Sequence, residues 1–546
     1  MDAMPRASAL ADRYWDETLE LEPMLGTLVG DERFDDRLAD PSEAGREKSR
    51  AVQQRALDEV EQIDRAELDA VLRTTLDVVE AIARRAMSDI ENRLDRLSAA
   101  SHLFGPANLV AELASAQSAD TPERLDRYLS RLHAIPAYLA AVIEIVEEGP
   151  RVGVTSPRVV AERAVAQTER LLEIDAGETP ALGPAGDDAA ARERIVEAVR
   201  DVVNPAYQKY LEALRAYLPH ATETIGVSAL PGGEALYDAQ ILAWTTLPLG
   251  AQEVHDIGVA RLSEIHEARR EIAAQLGFES PADAVAAHNA SGKNTAASRD
   301  ELLELTRRQV ERSWEVAKNF FNLMPSANCE VKLVEEFREA DMPFAFYQSP
   351  TADGSRPGIY YVSAFDLPTR ALHHLATTTY HEANPGHHFQ ISIEQEMRDR
   401  PALRRFGGIL AGSAFAEGWG LYSERLADEM GLFADEYERL GMLDAQALRA
   451  VRLVTDTGIH ALGWTREASI AALEEAGQPH TDAVIETDRY IAMPGQACSY
   501  MIGMIEIEKA RDRAVAAGKP LKDFHDTVLG LGSLPLPSLR RELGFP

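Results

Sequence analysis

The sequence predicts a mainly α-helical protein with one small antiparallel β-sheet. Three observations predict it. Apolar residues recur at helical spacing, with charges between them, through most of the 546 residues. Hydroxyl-plus-proline pairs mark helix starts in the N-terminal half. A single stretch, from Glu330 to Val362, has the short β-like runs and turn chemistry of strands.

Residues 1–225 read as an N-terminal helical region. Leu68 to Leu97 carries apolar residues at helical spacing. Thr121-Pro122-Glu123 and Ser156-Pro157 each set a hydroxyl N-cap before a proline at the first helical position. Asp175 to Asp188, rich in Gly, Pro and Ala, reads as a loop. A long helix follows, Ala189 to Leu218, with a kink expected at Pro205. This half has no internal repeat and no chemistry-bearing cluster, and its charge-rich helices read as solvated faces around a core.

Gly226 to Gly233 is a loop and the expected boundary to a second region, 226–546, which carries the chemistry. Leu249 to Leu276 and Ser298 to Leu323 read as amphipathic helices, the latter with Ser298 as N-cap and Pro325 just past its end. Glu330 to Phe337 and Phe344 to Tyr347 are β-like, 353–358 is turn chemistry, and Ile359-Tyr360-Tyr361-Val362 is a strand. A sheet edge beside a peptidase site can pair with an extended substrate backbone, which makes Tyr360 and Tyr361 candidate substrate contacts. The plainer reading is a structural hairpin.

Composition excludes several function classes. The net charge of −33 makes nucleic acid and anionic membrane surfaces poor partners. Two cysteines, Cys329 and Cys498, do not make a disulfide framework, though one bridge between them stays open. Met1 to Leu21 has acids interspersed and no apolar run, and no stretch of 18 uncharged apolar residues occurs. The expectation is a soluble cytoplasmic protein.

The chemistry gathers at Tyr380-His381-Glu382-Ala383-Asn384-Pro385-Gly386-His387-His388. Five of the 14 histidines (His373, His374, His381, His387, His388) fall within sixteen residues. The His-Glu pair is how the H-E-x-x-H zinc signature begins, where two His hold the metal and the Glu is the general base. Here the later histidines follow by six and seven residues. On a straight helix they would sit about 9–10 Å along the axis, with His388 on the face of His381 and His387 pointing elsewhere. Pro385 would clash with the carbonyl of His381, and Gly386 permits unusual backbone angles, so a kink or bulge is expected between His381 and His387. The blander alternative is a helix end followed by a turn.

A third ligand is expected downstream. Phe406 to Ser423 holds one charged residue, Glu417, opposite an apolar stripe of Phe415, Trp419, Tyr422 and Leu426. With no Lys or Arg beside it, this carboxylate needs a cation if it is buried. Glu424 shares its side of the helix two turns on but is followed by Arg425 and further charges, which makes it the weaker candidate.

The segments HEANPGHHFQ, AEGWGLYSE and RYIAMPGQACSYMIG, in that order between His381 and Gly503, resemble the bacterial domain-of-unknown-function 885 family, grouped with the gluzincin-like zinc metallopeptidases. The resemblance implies a large helical body around a deep cleft, similar to carboxypeptidase Taq and angiotensin-converting enzyme, with the small sheet beside the metal helix. It implies one Zn²⁺ held by His381, by His387 or His388, and by Glu417, with Glu382 as general base. His387 follows a glycine, as the second ligand does in some related peptidases; His388 fits if the helix stays regular.

Further along, Ala445 to His460 reads as a helix with Arg449, Arg452, Asp456 and His460 on one side. Such a side either grips a substrate carboxylate or oxyanion or is an exposed salt-bridged face. Pro494-Gly495 opens a helix on which Gln496 and Tyr500 share a face. Tyr500 is the first candidate to donate a hydrogen bond to an oxyanion, with Tyr490 and His460 behind it, unless it is an ordinary core tyrosine. Pro520 to Pro546 reads as short docking helices. Together these features predict a zinc-dependent peptidase or amidohydrolase acting on short peptides or small amides. The alternatives are a non-haem Fe(II) enzyme on a two-His-one-carboxylate site, and a non-catalytic metal-binding helical scaffold.

Overall fold

A computed structural model describes residues 3–334, 339, 344–351, 354 and 356–545. The protein is mainly α-helical with one small three-stranded sheet. The chain forms two compact units, one of 1–68, 82–237 and 485–494, the other of 69–81, 238–484 and 495–546.

The first unit is built around α1 (Pro122–Val152) and α2 (Asn204–Tyr217). Thr121 caps α1, its hydroxyl accepting from the Arg124 N–H at 3.2 Å, with Pro122 in the first turn, as the sequence predicts. Leu125, Tyr128, Leu132, Ile135 and Leu139 of α1 bury against Tyr207, Tyr210 and Leu214 of α2. By length and composition α1 could also cross a membrane, but this apolar face is spent on the unit's core. Ser156 does not cap the next helix: its hydroxyl donates to the Leu97 carbonyl, and Pro157 takes the cap position without a side-chain bond. The bend expected at Pro205 takes the form of a π-helical segment, Val199–Val203, directly before α2.

In the second unit, α3 (Ala251–Gln275) precedes α4 (Arg299–Ala317), whose N-cap is Ser298, accepting from the Glu301 N–H at 3.1 Å. The strands are β1 (Cys329–Leu333), β2 (Ala345–Gln348) and β3 (Gly358–Val362), in the order β1-β3-β2. The sheet is mixed, not antiparallel as expected. β2 and β3 form an antiparallel pair, Tyr347 opposite Tyr360, and β3 lies between β2 and β1. β1, running opposite to β2, is therefore parallel to β3, with Val331 opposite Tyr360. β3 is buried throughout, as its run of Ile, Tyr, Tyr and Val requires of a central strand, and β2 is left at the edge. The ends of the first β-like run (335–337) and part of the 353–358 turn lie outside the described residues.

The remaining helices frame the histidine segment: α5 (Leu375–Glu382), α6 (His387–Glu396), α7 (Ala414–Glu429), α8 (Glu436–His460), α9 (Ser499–Ala516) and α10 (Leu521–Leu531). α7 and α9 cross at two glycines. A Cβ on Gly503 would come within 1.8 Å of the Ala414 carbonyl oxygen, and one on Gly418 within 2.4 Å of the Gly503 carbonyl carbon. This contact fixes Glu417, beside Gly418, relative to Tyr500, one turn before Gly503. Because backbone cannot yield as a flexible side chain does, Gly503→Ala should lower stability by about 1–3 kcal/mol in denaturant melts. Gly530→Ala in α10, where a Cβ meets nothing nearer than Leu323 at 4.0 Å, should be neutral or slightly stabilising.

Candidate metal centre

α5 ends at Glu382 because Pro385 cannot continue it. The backbone leaves the helix at Ala383 (φ −102°, ψ −108°), and α6 begins at His387. Locally the chain thus follows the blander alternative, a helix end and a turn over 383–386, and not a kink or bulge within one helix. Gly386 lies against the end of α5, where a Cβ would come within 1.9 Å of the His381 carbonyl oxygen. Trp419 of α7 pins the break by donating its indole N–H to the Pro385 carbonyl at 2.8 Å. The returning chain sets the His387 ring perpendicular to that of His381, centroids 4.7 Å apart.

Glu417, in the first turn of α7, faces both rings. Its Oε2 lies 3.7 Å from His381 Nε2 and 3.5 Å from His387 Nε2, and the three potential ligand atoms all lie within 4.8 Å of one another. Bonds of about 2.0–2.2 Å in a tetrahedral zinc site place donor atoms about 3.3–3.6 Å apart, so the spacing needs only a small contraction. Gly420 makes room: a Cβ there would lie 2.8 Å from the His381 ring. His387 Nδ1 is buried with no hydrogen-bond partner among the described residues.

His381 is held from behind by Glu424, whose Oε1 accepts from Nδ1 at 2.8 Å, while Gln446 donates to Oε2 at 3.3 Å. This is how a metal-binding imidazole is oriented, with Nδ1–H on a carboxylate and the Nε2 lone pair turned inward. Burial alone would push His381 down, but Glu417 and Glu424 outweigh it and hold it at about 9. Burial likewise works to raise Glu417, yet the two imidazoles keep it well below the usual carboxylate range. The acids thus favour positive charge at His381, and a dication held by these groups would supply such charge.

His388 is not part of this group. Its Nε2–H donates to the Ala327 carbonyl at 3.1 Å and its Nδ1 accepts from the Tyr347 hydroxyl at 2.9 Å. Both nitrogens are engaged, and burial pushes the ring down to about 4. The broken helix turns His388 toward the sheet, as the straight helix assumed for it would not.

The three groups open onto a pocket of about 340 Å³ that Glu382, Arg449, Arg452, Tyr500, Phe346 and Tyr347 also line. Burial raises the Glu382 carboxyl, against the pull of the neighbouring imidazoles. The Arg452 guanidinium lies 4.6 Å from the centre of the Tyr500 ring. Other sequence candidates lie elsewhere. Tyr360 is fully buried with its hydroxyl 3.3 Å from that of Thr379, and Tyr361 stacks on Phe346 at 4.9 Å. His460 and Gln496 are buried and do not line the pocket. Tyr490 belongs to the other unit, donating to Glu486 at 2.6 Å. It is the edge strand β2, not β3, that reaches the pocket.

A second group, His373, His374 and Asp444, also brings potential ligands together. Its carboxylate is already compensated, since Arg269 Nε lies 2.8 Å from Asp444 Oδ1. The Glu417 group has no such cation against it among the described ion pairs.

The family described as "Bacterial protein of unknown function (DUF885)" matches residues 23–543. The chain belongs to the DUF885 family. Its fold is similar to that of a candidate lipoprotein from Colwellia psychrerythraea, 26% identical, with a TM-score of 0.91 over 100% of this chain and 99% of that one. It also matches a candidate lipoprotein of unknown function from Shewanella oneidensis, 22% identical, with a TM-score of 0.75 over 97% and 98% of the two chains. No curated protein matches the chain.

Zinc held here would compete with a proton for His381, so its apparent affinity should rise about tenfold per pH unit from pH 7 toward 9 and then level off, measured by chelator competition. Glu424→Ala should weaken zinc binding about 10–100-fold.

Proposed function

We propose that the protein is a zinc-dependent metallopeptidase of gluzincin type, hydrolysing peptide or amide bonds of short peptides. The observation that carries this reading is the convergence of His381, His387 and Glu417 on one point with Glu382 alongside. Two imidazoles and a carboxylate are the donor set of catalytic zinc, and a dication there would supply a Lewis acid and an acidified water.

Glu382 would take the proton of the attacking water and return it to the leaving amine. Its raised affinity for protons suits the second half of that task, because a carboxylate of ordinary acidity holds a proton poorly at neutral pH. Glu424 would keep His381 in one tautomer throughout. Tyr500, across the pocket, would donate its hydroxyl to the oxyanion, with Arg452 against its ring to hold it. The outer edge of β2 would receive an extended backbone by strand addition. An iron enzyme on the same donor set has no use for a base at Glu382, which favours the hydrolase. For the compartment we propose the cytoplasm, on charge and composition alone, although the two structural relatives carry a lipoprotein description.

Glu382→Gln tests the reading. The variant should keep one zinc per chain by elemental analysis and lose about 10²–10⁴-fold in kcat on a short-peptide substrate. Unchanged turnover would remove Glu382 from the chemistry, and absence of zinc from the wild-type chain would remove the metal.

A further inference from the structure

We infer that the pocket receives the free carboxylate at the C-terminal end of a short peptide, and that Arg449 is the residue that binds it. This rests on the hydrolase reading above and adds the end of the peptide from which cleavage occurs.

Arg449 and Arg452 lie one turn apart on α8, and both line the pocket with His381, Glu382 and Tyr500. Arg449 makes no ion pair among the described residues. Its Nε is buried without a hydrogen-bond partner, and its Nη1 makes a long 3.4 Å bond to the Ala445 carbonyl of its own helix. In a chain with 89 acidic and 56 basic residues, an arginine lining a pocket without a carboxylate against it is unusual. The same pocket holds Glu382, whose carboxyl is raised by burial against a smaller opposing pull from the Arg449 charge. The lining therefore carries both signs of charge, Glu382 and Glu417 together with the guanidinium groups of Arg449 and Arg452.

A ligand that complements this lining has an amide to place at the His381, His387 and Glu417 group and a carboxylate to offer a guanidinium. A guanidinium recognises a carboxylate through paired N–H donors in one plane. A peptide's α-ammonium would find no carboxylate among the described lining residues apart from the two assigned to metal and base. The volume, about 340 Å³, is at the small end for ligand sites.

The test compares one short apolar peptide as free acid and as C-terminal amide, for binding to full-length zinc-loaded Glu382→Gln protein by calorimetry and for hydrolysis by the wild type. The acid should bind and react at least about tenfold better. Arg449→Gln should erase that preference with zinc content unchanged, and Arg449→Lys should restore part of it. Equal binding and cleavage of acid and amide would overturn the inference while leaving the hydrolase standing, as would a preference that survives in Arg449→Gln. An Arg449-dependent preference in binding with no cleavage of either peptide would uphold the carboxylate site and sink the hydrolase. Should Arg449→Gln not fold, the wild-type comparison of acid and amide and the Arg449→Lys protein still decide.

Discussion

The break in the chain between Glu382 and His387 is the constraint on which the site depends. A continuous helix would carry the two imidazoles apart along its axis; ending it at Glu382 and restarting it at His387 folds one ring back across the other. Three parts of the sequence enforce the break. Pro385 forbids helical continuation, Gly386 allows the backbone to lie on the His381 carbonyl, and the Trp419 indole fixes the Pro385 carbonyl from the facing helix. Trp419 and Glu417 share α7, so the helix that pins the break also brings the carboxylate to the two rings.

Electrostatics then sets what such a cluster demands. Glu382, Glu417 and Glu424 are crowded around two imidazoles in a largely buried setting. Carboxylates there are costly unless a cation compensates them. The acids raise His381 to about 9, which favours positive charge at that ring. The His373, His374 and Asp444 group has the same residue types but contains Arg269 as its own counter-charge, so it has no comparable demand for an ion. The cluster that is short of positive charge is the one that opens on a pocket.

Much of this was legible in the sequence. Glu417 stood out as a charged residue in a long uncharged stretch, and helix caps such as Thr121 and Ser298 followed from local chemistry that tertiary context did not override. His387 and His388 could not be separated, because the choice depends on how far the helix breaks, which is set by Trp419 from another element. Glu424 ranks below Glu417 as a ligand in the sequence, and the structure places it behind His381, a supporting position that the Arg425 beside it obscures. Neighbours in sequence point about 100° apart on a helix, so Glu424 is buried against His381 while Arg425 is exposed. The direction of β1 and the role of Tyr347 depend on contacts between distant segments, and no local pattern encodes them.

The most direct measurement is an anomalous difference map at the zinc edge from crystals of the zinc-loaded protein. The account predicts one strong peak within bonding distance of His381 Nε2, His387 Nε2 and a Glu417 oxygen. A map with no peak there, or with its only peak between His373, His374 and Asp444, would contradict it.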